Sequence, residues 1–480
     1  MSKSKASRPN ILWIVAEDLC PDVGCYGHPL VKTPNIDALA RQGVRFSQAF
    51  ATAPVCSPAR SAFNTGMYQT SIGAHHHRTK QADGVKPLPA DVRLLSQHLR
   101  ETGYFTSNAN VRTVEADWTE VGKTDFNFTV ERAFDGTDWR QRKSDQPFFA
   151  QAQCFEVHRN HQTGRFTSDP DNPIDPGKIQ LPPYYPDYPL IRRDWGEYLE
   201  YIQVLDRKVG AILKRLEQDG LAENTVVFFF GDQGRAHARC KQFLYDGGLQ
   251  VPFIMRWPSV SAPGTVDDQL VSLIDIVPTC MRMAGVEPPV AMQGRDVLAS
   301  GGTGRQVVFA ARDRCDETYD RIRCVRSRRF KYIRNYFPNR PYMQYNAYRR
   351  CGYPVWTLIE VLHTLGKLTP AQEQFAGAER PAEELYDLEN DPSEVRNLAT
   401  DPLFEKELAR LRSTLDEWIA ETGDQGETSE DQQYTARRFK DRQSPVWDDW
   451  MKLRGLSTAI TPIDYLRYWE GEFGVPHSLD

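Results

Sequence analysis

Thr225-Val226-Val227-Phe228-Phe229-Phe230, followed at once by Gly231-Asp232-Gln233-Gly234, is the stretch from which the architecture of this chain can be read. Six apolar residues in a row, β-branched then aromatic, leave no polar face, so the segment reads as a strand covered on both sides. Ile11-Leu12-Trp13-Ile14-Val15-Ala16 has the same character and also runs directly into acidic residues, Glu17-Asp18. Val251 to Met255 is a third such run, and Val44 to Ala51, Tyr104 to Ala109 and Pro147 to Phe155 read as further strands. Helical segments separate them. Thr33-Pro34-Asn35 opens one through Ala40, with Thr33 as cap and Gly43 beyond its end. Val92 to Arg100 is a second, and Asp194 to Gln218 a long amphipathic one. Its stripe is Tyr198, Tyr201, Ile202, Leu205, Val209, Ile212, Leu213 and Leu216. Strand–helix alternation predicts an α/β layered domain with a mainly parallel sheet. Ligands of such sheets bind beyond the carboxyl ends of the strands, where Glu17-Asp18 and Asp232-Gln233 stand.

Beyond the sheet domain the pattern changes. Ile322 to Tyr336 alternates in a β-like way, Asp387 to Leu398 is turn-rich and Glu405 to Thr422 is helical, which predicts a smaller α+β domain. The expected division is 1–320 and 321–480. The tail carries Trp447, Trp450, Tyr465, Tyr468 and Trp469, and is expected to pack on the body or on another subunit as a homo-oligomer contact.

The 480 residues, 40% hydrophobic and 26% charged, suit a soluble globular protein with a large core. A net charge of −5 argues against a nucleic-acid partner without excluding an anionic substrate. Nine scattered cysteines contain no C-x-x-C pair and do not resemble a disulfide framework. No stretch reaches transmembrane length, and Ile11 to Ala16 is too short for a signal core. The chain as written is therefore expected to be cytoplasmic and not membrane-bound, or periplasmic or secreted if a signal segment preceded it.

The chemistry concentrates at Cys56-Ser57-Pro58-Ala59-Arg60. Ser57 is a candidate helix N-cap with Pro58 at the first helical position. Cys56 would then sit at a helix N-terminus, which favours a thiolate or another anion, and Arg60 one turn further in can fork onto an oxyanion. The acidic and amide groups Glu17, Asp18, Asp232 and Gln233 suit a hard divalent cation.

Cys56-Ser57-Pro58-Ala59-Arg60, followed by Thr65-Gly66, resembles the C/S-x-P-x-R signature of the type I sulfatases, within the alkaline-phosphatase-like superfamily. The resemblance implies an alkaline-phosphatase-like three-layer α/β domain and a smaller C-terminal α+β domain with an antiparallel sheet. It implies conversion of Cys56 to formylglycine by a separate formylglycine-generating enzyme. One hydroxyl of the hydrated aldehyde attacks sulfur, and the second lets the covalent sulfate leave. It also implies one divalent cation, Ca2+ first and Mg2+ or Mn2+ otherwise, on Glu17, Asp18, Cys56, Asp232 and Gln233. Glu17 and Gln233 replace the family's Asp and its Asn or His, which keeps oxygen ligation on longer stems.

Further segments extend the match. Lys241-Gln242-Phe243-Leu244-Tyr245-Asp246-Gly247-Gly248 resembles a family segment whose Lys contacts the sulfate and the leaving-group oxygen. His158, after the strand that ends at Phe155, resembles the family His beside the leaving group; His161 and His237 are rivals. Ser107-Asn108-Ala109-Asn110 stands where many sulfatases carry G-K-W-H, and Lys123, in Lys123-Thr124-Asp125-Phe126-Asn127, resembles a bacterial subgroup and would supply the missing cation. His75-His76-His77 is expected at a pocket rim or surface turn. Glu384-Leu385-Tyr386-Asp387-Leu388 through Ala399 resembles a structural segment of sulfatase C-terminal domains, so the match runs from Arg8 to about Asp401. The implied activity is hydrolysis of a sulfate ester or sulfamate, on a sugar, with Cys56, Arg60, Lys123, His158 and Lys241 as catalytic residues. The alternatives are a phosphonate or phosphate ester hydrolase on the same scaffold, and a non-catalytic binder of sulfated glycans.

Overall fold

A computed structural model of the chain describes residues 8–79, 87–112, 118–160, 163–166, 169–258, 262–299, 304–427 and 446–479. The strands are β1 (Asn10–Ala16), β2 (Val44–Phe50), β3 (Phe105–Asn110), β4 (Phe148–Cys154), β5 (Thr225–Gly231), β6 (Phe253–Arg256) and β7 (Thr265–Ser272). They form one seven-stranded sheet in the order β3-β4-β1-β5-β6-β2-β7. The pairs β3·β4, β4·β1, β1·β5 and β2·β7 are parallel, and β6 alone runs against its neighbours β5 and β2.

The helices on this sheet are α1 (Pro34–Gln42), α2 (Cys56–Thr65), α3 (Leu95–Glu101), α4 (Pro189–Gln218), the single turn α5 (Asp246–Leu249) and α6 (Ile276–Met283). Alternation along β1 divides them between two faces. Leu12, Ile14 and Ala16 pack in one core with Ile36 and Leu39 of α1 and Ile202, Leu205, Val209 and Ile212 of α4. Ile11, Trp13 and Val15 pack in the other with Phe63 of α2, Leu95 and Leu99 of α3 and Ile276 and Val277 of α6. A strand with both faces covered has no position for a polar side chain, which is why β1 and β5 read as unbroken apolar runs. The predicted stripe of α4 is buried at six positions, with Tyr201 and Leu213 half-exposed.

The second sheet is antiparallel, in the order β11-β10-β9-β8, from β8 (Val308–Arg312), β9 (Ile322–Arg326), β10 (Phe330–Asn335) and β11 (Glu383–Asp387). It already includes β8, upstream of residue 321. The helix Glu405–Thr422 covers it through Leu408, Leu411, Leu415 and Trp418. Trp447, Met451, Tyr465, Leu466 and Trp469 of the tail join the core shared with α4 and the helix Pro354–Thr364, so the aromatic tail packs on the body. No helix among the described residues is long and apolar enough to cross a membrane, and all nine cysteines are free.

Of two expected caps, one holds its position and one is corrected. Thr33 is the N-cap of α1, but its side chain makes no capping bond; its hydroxyl donates to Asp37 Oδ1 at 3.0 Å and accepts from the Gly24 N–H at 2.8 Å. Ser57 is not the N-cap of α2. Val55 is the cap, the helix opens at Cys56, and Ser57 Oγ accepts from the Arg78 N–H at 2.8 Å.

Candidate active site

Strand register builds the site. Ala16 of β1 pairs with Gly231 of β5 on one side and Cys154 of β4 on the other. The residues that follow three adjacent strand ends therefore meet: Glu17-Asp18, Asp232-Gln233 and the segment leading to His158. Two ladder bonds continue past the strands, from the Glu17 N–H to Cys154 O and from the Asp232 N–H to Ala16 O. Helix α2 starts above this junction and points Cys56 into it. One ligand atom each from Glu17, Cys56 and Asp232 lies within 4.8 Å of the others, and all three residues are buried.

Cations close around the acids. Arg60 Nε donates to Asp232 Oδ2 at 3.0 Å, Nη2 reaches Glu17 Oε1 at 3.4 Å, and Nη1 donates to Gln153 Oε1 at 2.8 Å. Lys123 Nζ donates to Glu17 Oε1. Lys241 Nζ lies 2.7 Å from each oxygen of Asp18. Asp18 and Gln233 both donate their backbone N–H to Asp232 Oδ1, at 3.1 and 2.9 Å. Three carboxylates thus face three cations in a water-poor cavity, where each unpaired charge would cost several kcal/mol.

Titration follows from these contacts. Burial raises the Glu17 carboxyl, but Lys123, His158 and Arg60 outweigh it and hold it well below the usual range. Burial likewise raises Asp232, to about 6 despite Arg60. Burial pushes the Cys56 thiol up to about 11, against the pull of Lys123 and Lys241. The thiolate expected of a helix N-terminus is therefore not favoured, because desolvation and the nearby Asp232 and Asp18 outweigh the helix end.

The residues present fit a divalent cation. The donors are hard oxygens, and Gln233 Oε1 is buried with no hydrogen-bond partner among the described residues, an acceptor left for an ion. Gln233 Nε2 faces Asp18 Oδ1 and lies 3.4 Å from Cys56 Sγ, the atom that Glu17 also adjoins, so both longer-stemmed substitutes meet at residue 56.

His158 joins the same cluster. Its Nδ1 faces the Arg159 carbonyl at 2.7 Å, which makes Nδ1 the protonated nitrogen and turns Nε2 toward Asp18 Oδ2 at 3.8 Å. Burial and Lys241 push the imidazole down to about 4. Its rival His237 is elsewhere, among Phe166, Trp195 and Tyr198 with Nε2 3.6 Å from Asp194. His161 lies outside the described residues. His75, His76 and His77 form no surface turn: all are buried, His77 Nδ1 lies 3.0 Å from Asp316 Oδ1, and the His77 N–H donates to Arg314 O.

Sequence reasoning gave no role to Gln153, Tyr348, Arg78, Asp125 or Asp316. Tyr348 lies under Lys241, 5.6 Å from Nζ to the ring centroid, and 6.4 Å from the His158 ring. It arrives from the C-terminal part, and no local pattern marks it. Asp125 and Arg78 adjoin segments already singled out, Lys123-Thr124 and the triple His, and adjacency was the available signal.

Comparison with known proteins agrees with this geometry. The Sulfatase family model matches residues 9–286, and the model described as N-sulphoglucosamine sulphohydrolase, C-terminal, matches 237–348. An ulvan-active sulfatase of Formosa agariphila is 36% identical over 466 residues, covering 87% of this chain and 76% of the relative. The N-sulphoglucosamine sulphohydrolase of Homo sapiens is 27% identical over 478 residues, covering 87% and 91%. Among solved structures, a 2-O GAG sulfatase superposes with a TM-score of 0.63 at 22% identity, covering 88% of this chain and 94% of its own. A phosphonate monoester hydrolase of Agrobacterium radiobacter does so with 0.64 at 18%, covering 86% and 96%. These two share the fold, and the fold alone does not choose between their chemistries. The choice comes from the sequence relatives and the family model, which spans more than half of the chain: the protein belongs to the sulfatase family and is a sulfuric ester hydrolase.

Proposed function

We propose that the protein removes sulfate from a sulfated carbohydrate, with Cys56 converted to formylglycine and one divalent cation, Ca2+, held by Glu17, Asp18, Asp232, Gln233 and residue 56. The observation that carries the proposal is Cys56 at the first position of α2, buried between Glu17 and Asp232 with Arg60 one turn away. The curated relatives named for ulvan and N-sulphoglucosamine support a sugar sulfate as the substrate class. A cation bound there neutralises a sulfate oxygen and acidifies a hydroxyl beside it.

The chain's own residues then divide the work. One hydroxyl of the hydrated aldehyde at position 56 attacks sulfur, and the bond from sulfur to the sugar oxygen breaks. The proton of the attacking hydroxyl passes to the unprotonated Nε2 of His158, and Lys241, at the Asp18 end of the cluster, gives a proton to the departing sugar oxygen. Arg60 and Lys123 face the charge that gathers on the sulfuryl oxygens. The second hydroxyl at position 56 then loses its proton, the aldehyde re-forms as the carbon–oxygen bond to sulfate breaks, and water rehydrates it.

The test is sulfate release from sulfated oligosaccharides by protein co-produced with a formylglycine-generating enzyme, with mass spectrometry of the peptide holding residue 56. An aldehyde mass together with sulfate release is expected, and Cys56→Ala should lower turnover by at least about 1,000-fold. Sulfate release from protein carrying only the unmodified thiol would refute the formylglycine mechanism.

A further inference from the structure

Beside the nucleophile stands a cation that the chemistry above does not use. Arg78 follows the triple His, and its backbone N–H is tied to Ser57, the residue after Cys56, at 2.8 Å. Its side chain is 43% exposed, unlike those of Arg60 and Lys241, which are closed off inside the cavity. Among the described residues the Arg78 guanidinium makes no hydrogen bond. Asp125 Oδ2 stands 4.0 Å from Nε, close enough to orient the charge and too far to occupy a donor. Asp316, the other acid acting on it, is committed elsewhere: Oδ1 lies on His77 Nδ1 at 3.0 Å, and Oδ2 accepts from the Gln242 and Asn346 amides at 3.5 Å. The backbone tie to Ser57 and the exposed side chain place Arg78 on the solvent side of the residue that follows the nucleophile.

The backbone around this group is held in a costly conformation. Arg78, Asp125 and Asp316 have φ of 52°, 49° and 50°, in the left-handed region that non-glycine residues avoid. Asp18 and Gln242, their neighbours at the site, do the same. Each such residue is strained and persists where surrounding structure enforces it, characteristically at ligand clamps. Here Arg78 and both acids that act on its charge, Asp125 and Asp316, are held this way.

We infer that Arg78 is a specificity-determining residue that binds a second anionic group of the substrate, a sugar carboxylate or another sulfate adjacent to the one removed. A planar fork with free donors matches either oxyanion, and the inference rests on the sulfatase reading of the same site. Once bound, such a group would sit between Arg78 and solvent rather than among the buried acids, so the added affinity appears in KM.

The experiment compares kcat/KM of the matured enzyme on three disaccharides carrying the same scissile sulfate. One is otherwise neutral, one bears a uronate carboxylate, and one bears a second sulfate. Wild type should prefer an anionic substrate, and Arg78→Ala should lower that anionic-to-neutral ratio by about 10–100-fold, through KM. Whichever anion loses its advantage identifies the group bound. Arg78→Lys, which keeps a charge without a fork, should fall between, and it carries the comparison if the alanine variant does not fold. Equal kcat/KM on all three substrates in wild type, or a ratio unmoved by either variant, overturns the role of Arg78 while leaving the sulfatase reading intact. Matured wild type that releases no sulfate from any of the three overturns both.

Discussion

Arg60 is the residue on which the buried charge balance turns. It bridges Asp232 and Glu17, both shielded from water. Truncating it leaves two desolvated carboxylates short of a partner, which typically costs about 3–5 kcal/mol. Arg60→Ala is therefore expected to lower the denaturant midpoint of the metal-free protein sharply, whereas Arg60→Lys retains part of the stability. Calcium should raise the melting temperature of wild type in a concentration-dependent way, and Asp232→Asn should abolish that rise. An unchanged shift in Asp232→Asn would remove Asp232 from the ligand set. At this scale the sequence was informative where chemistry and strand position coincide: Cys56, Arg60, Glu17, Asp18, Asp232 and Lys241 were all nameable. Tyr348 and Asp316 were not, because long-range packing brings them to the site from the C-terminal part.

The segment from Lys241 to Leu249 shows how an element is held to its task. Gly234 N–H donates to Gly248 O at 3.0 Å, and a Cβ on Gly234 would lie 2.2 Å from Gly247 O. A Cβ on Gly248 would meet the carbonyls of Phe243 and Cys240 at 2.2 and 2.3 Å. Backbone packs directly on backbone at these two positions, so glycine at 234 and at 248 is steric necessity. Gly248→Ala should push the Cys240–Phe243 turn, which carries Lys241, away from α5 and reduce kcat/KM by at least about tenfold with residue 56 still converted, measured by sulfate release. The C-terminal segment braces the same turn from outside. Glu394 accepts from the Asp246 N–H at 2.7 Å and from Lys331 Nζ at 2.6 Å, and Arg326 and Lys331 both grip the Asp246 carboxylate. This is a physical account of a motif the sequence marked only as structural. Ser57 shows the limit of local reading: it resembles a cap, yet the Arg78 N–H holds its hydroxyl, while Thr33 keeps the cap position with its hydroxyl engaged by Gly24 and Asp37; such competition is invisible in a local pattern.

The whole molecule is two sheets joined at the active site, and its pH response follows from groups buried at that joint. Burial, reinforced by Asp316, pushes the Glu317 carboxyl up to about 7, with Oε1 accepting from the Ala347 N–H. Folding therefore favours its protonated form. That contribution is complete below the ordinary glutamate range near 4.5 and is lost as pH rises through about 7. Glu317→Gln keeps the accepting oxygen and should flatten this part of the stability profile, as read from denaturant midpoints between pH 4.5 and 7.5; an unchanged slope would exclude Glu317 as its source. The sheet domain was legible because both-face burial writes itself as apolar runs, whereas the antiparallel direction of β6, itself read as one of those runs, leaves no mark in composition. The central claim is that this geometry serves sulfate chemistry on a scaffold shared with a phosphonate monoester hydrolase. The most direct measurement is kcat/KM of the matured enzyme on an aryl sulfate against the matching aryl phosphonate. Sulfate should be preferred and activity lost in Cys56→Ala; a phosphonate preference of orders of magnitude would mean that the site is built for phosphorus chemistry instead.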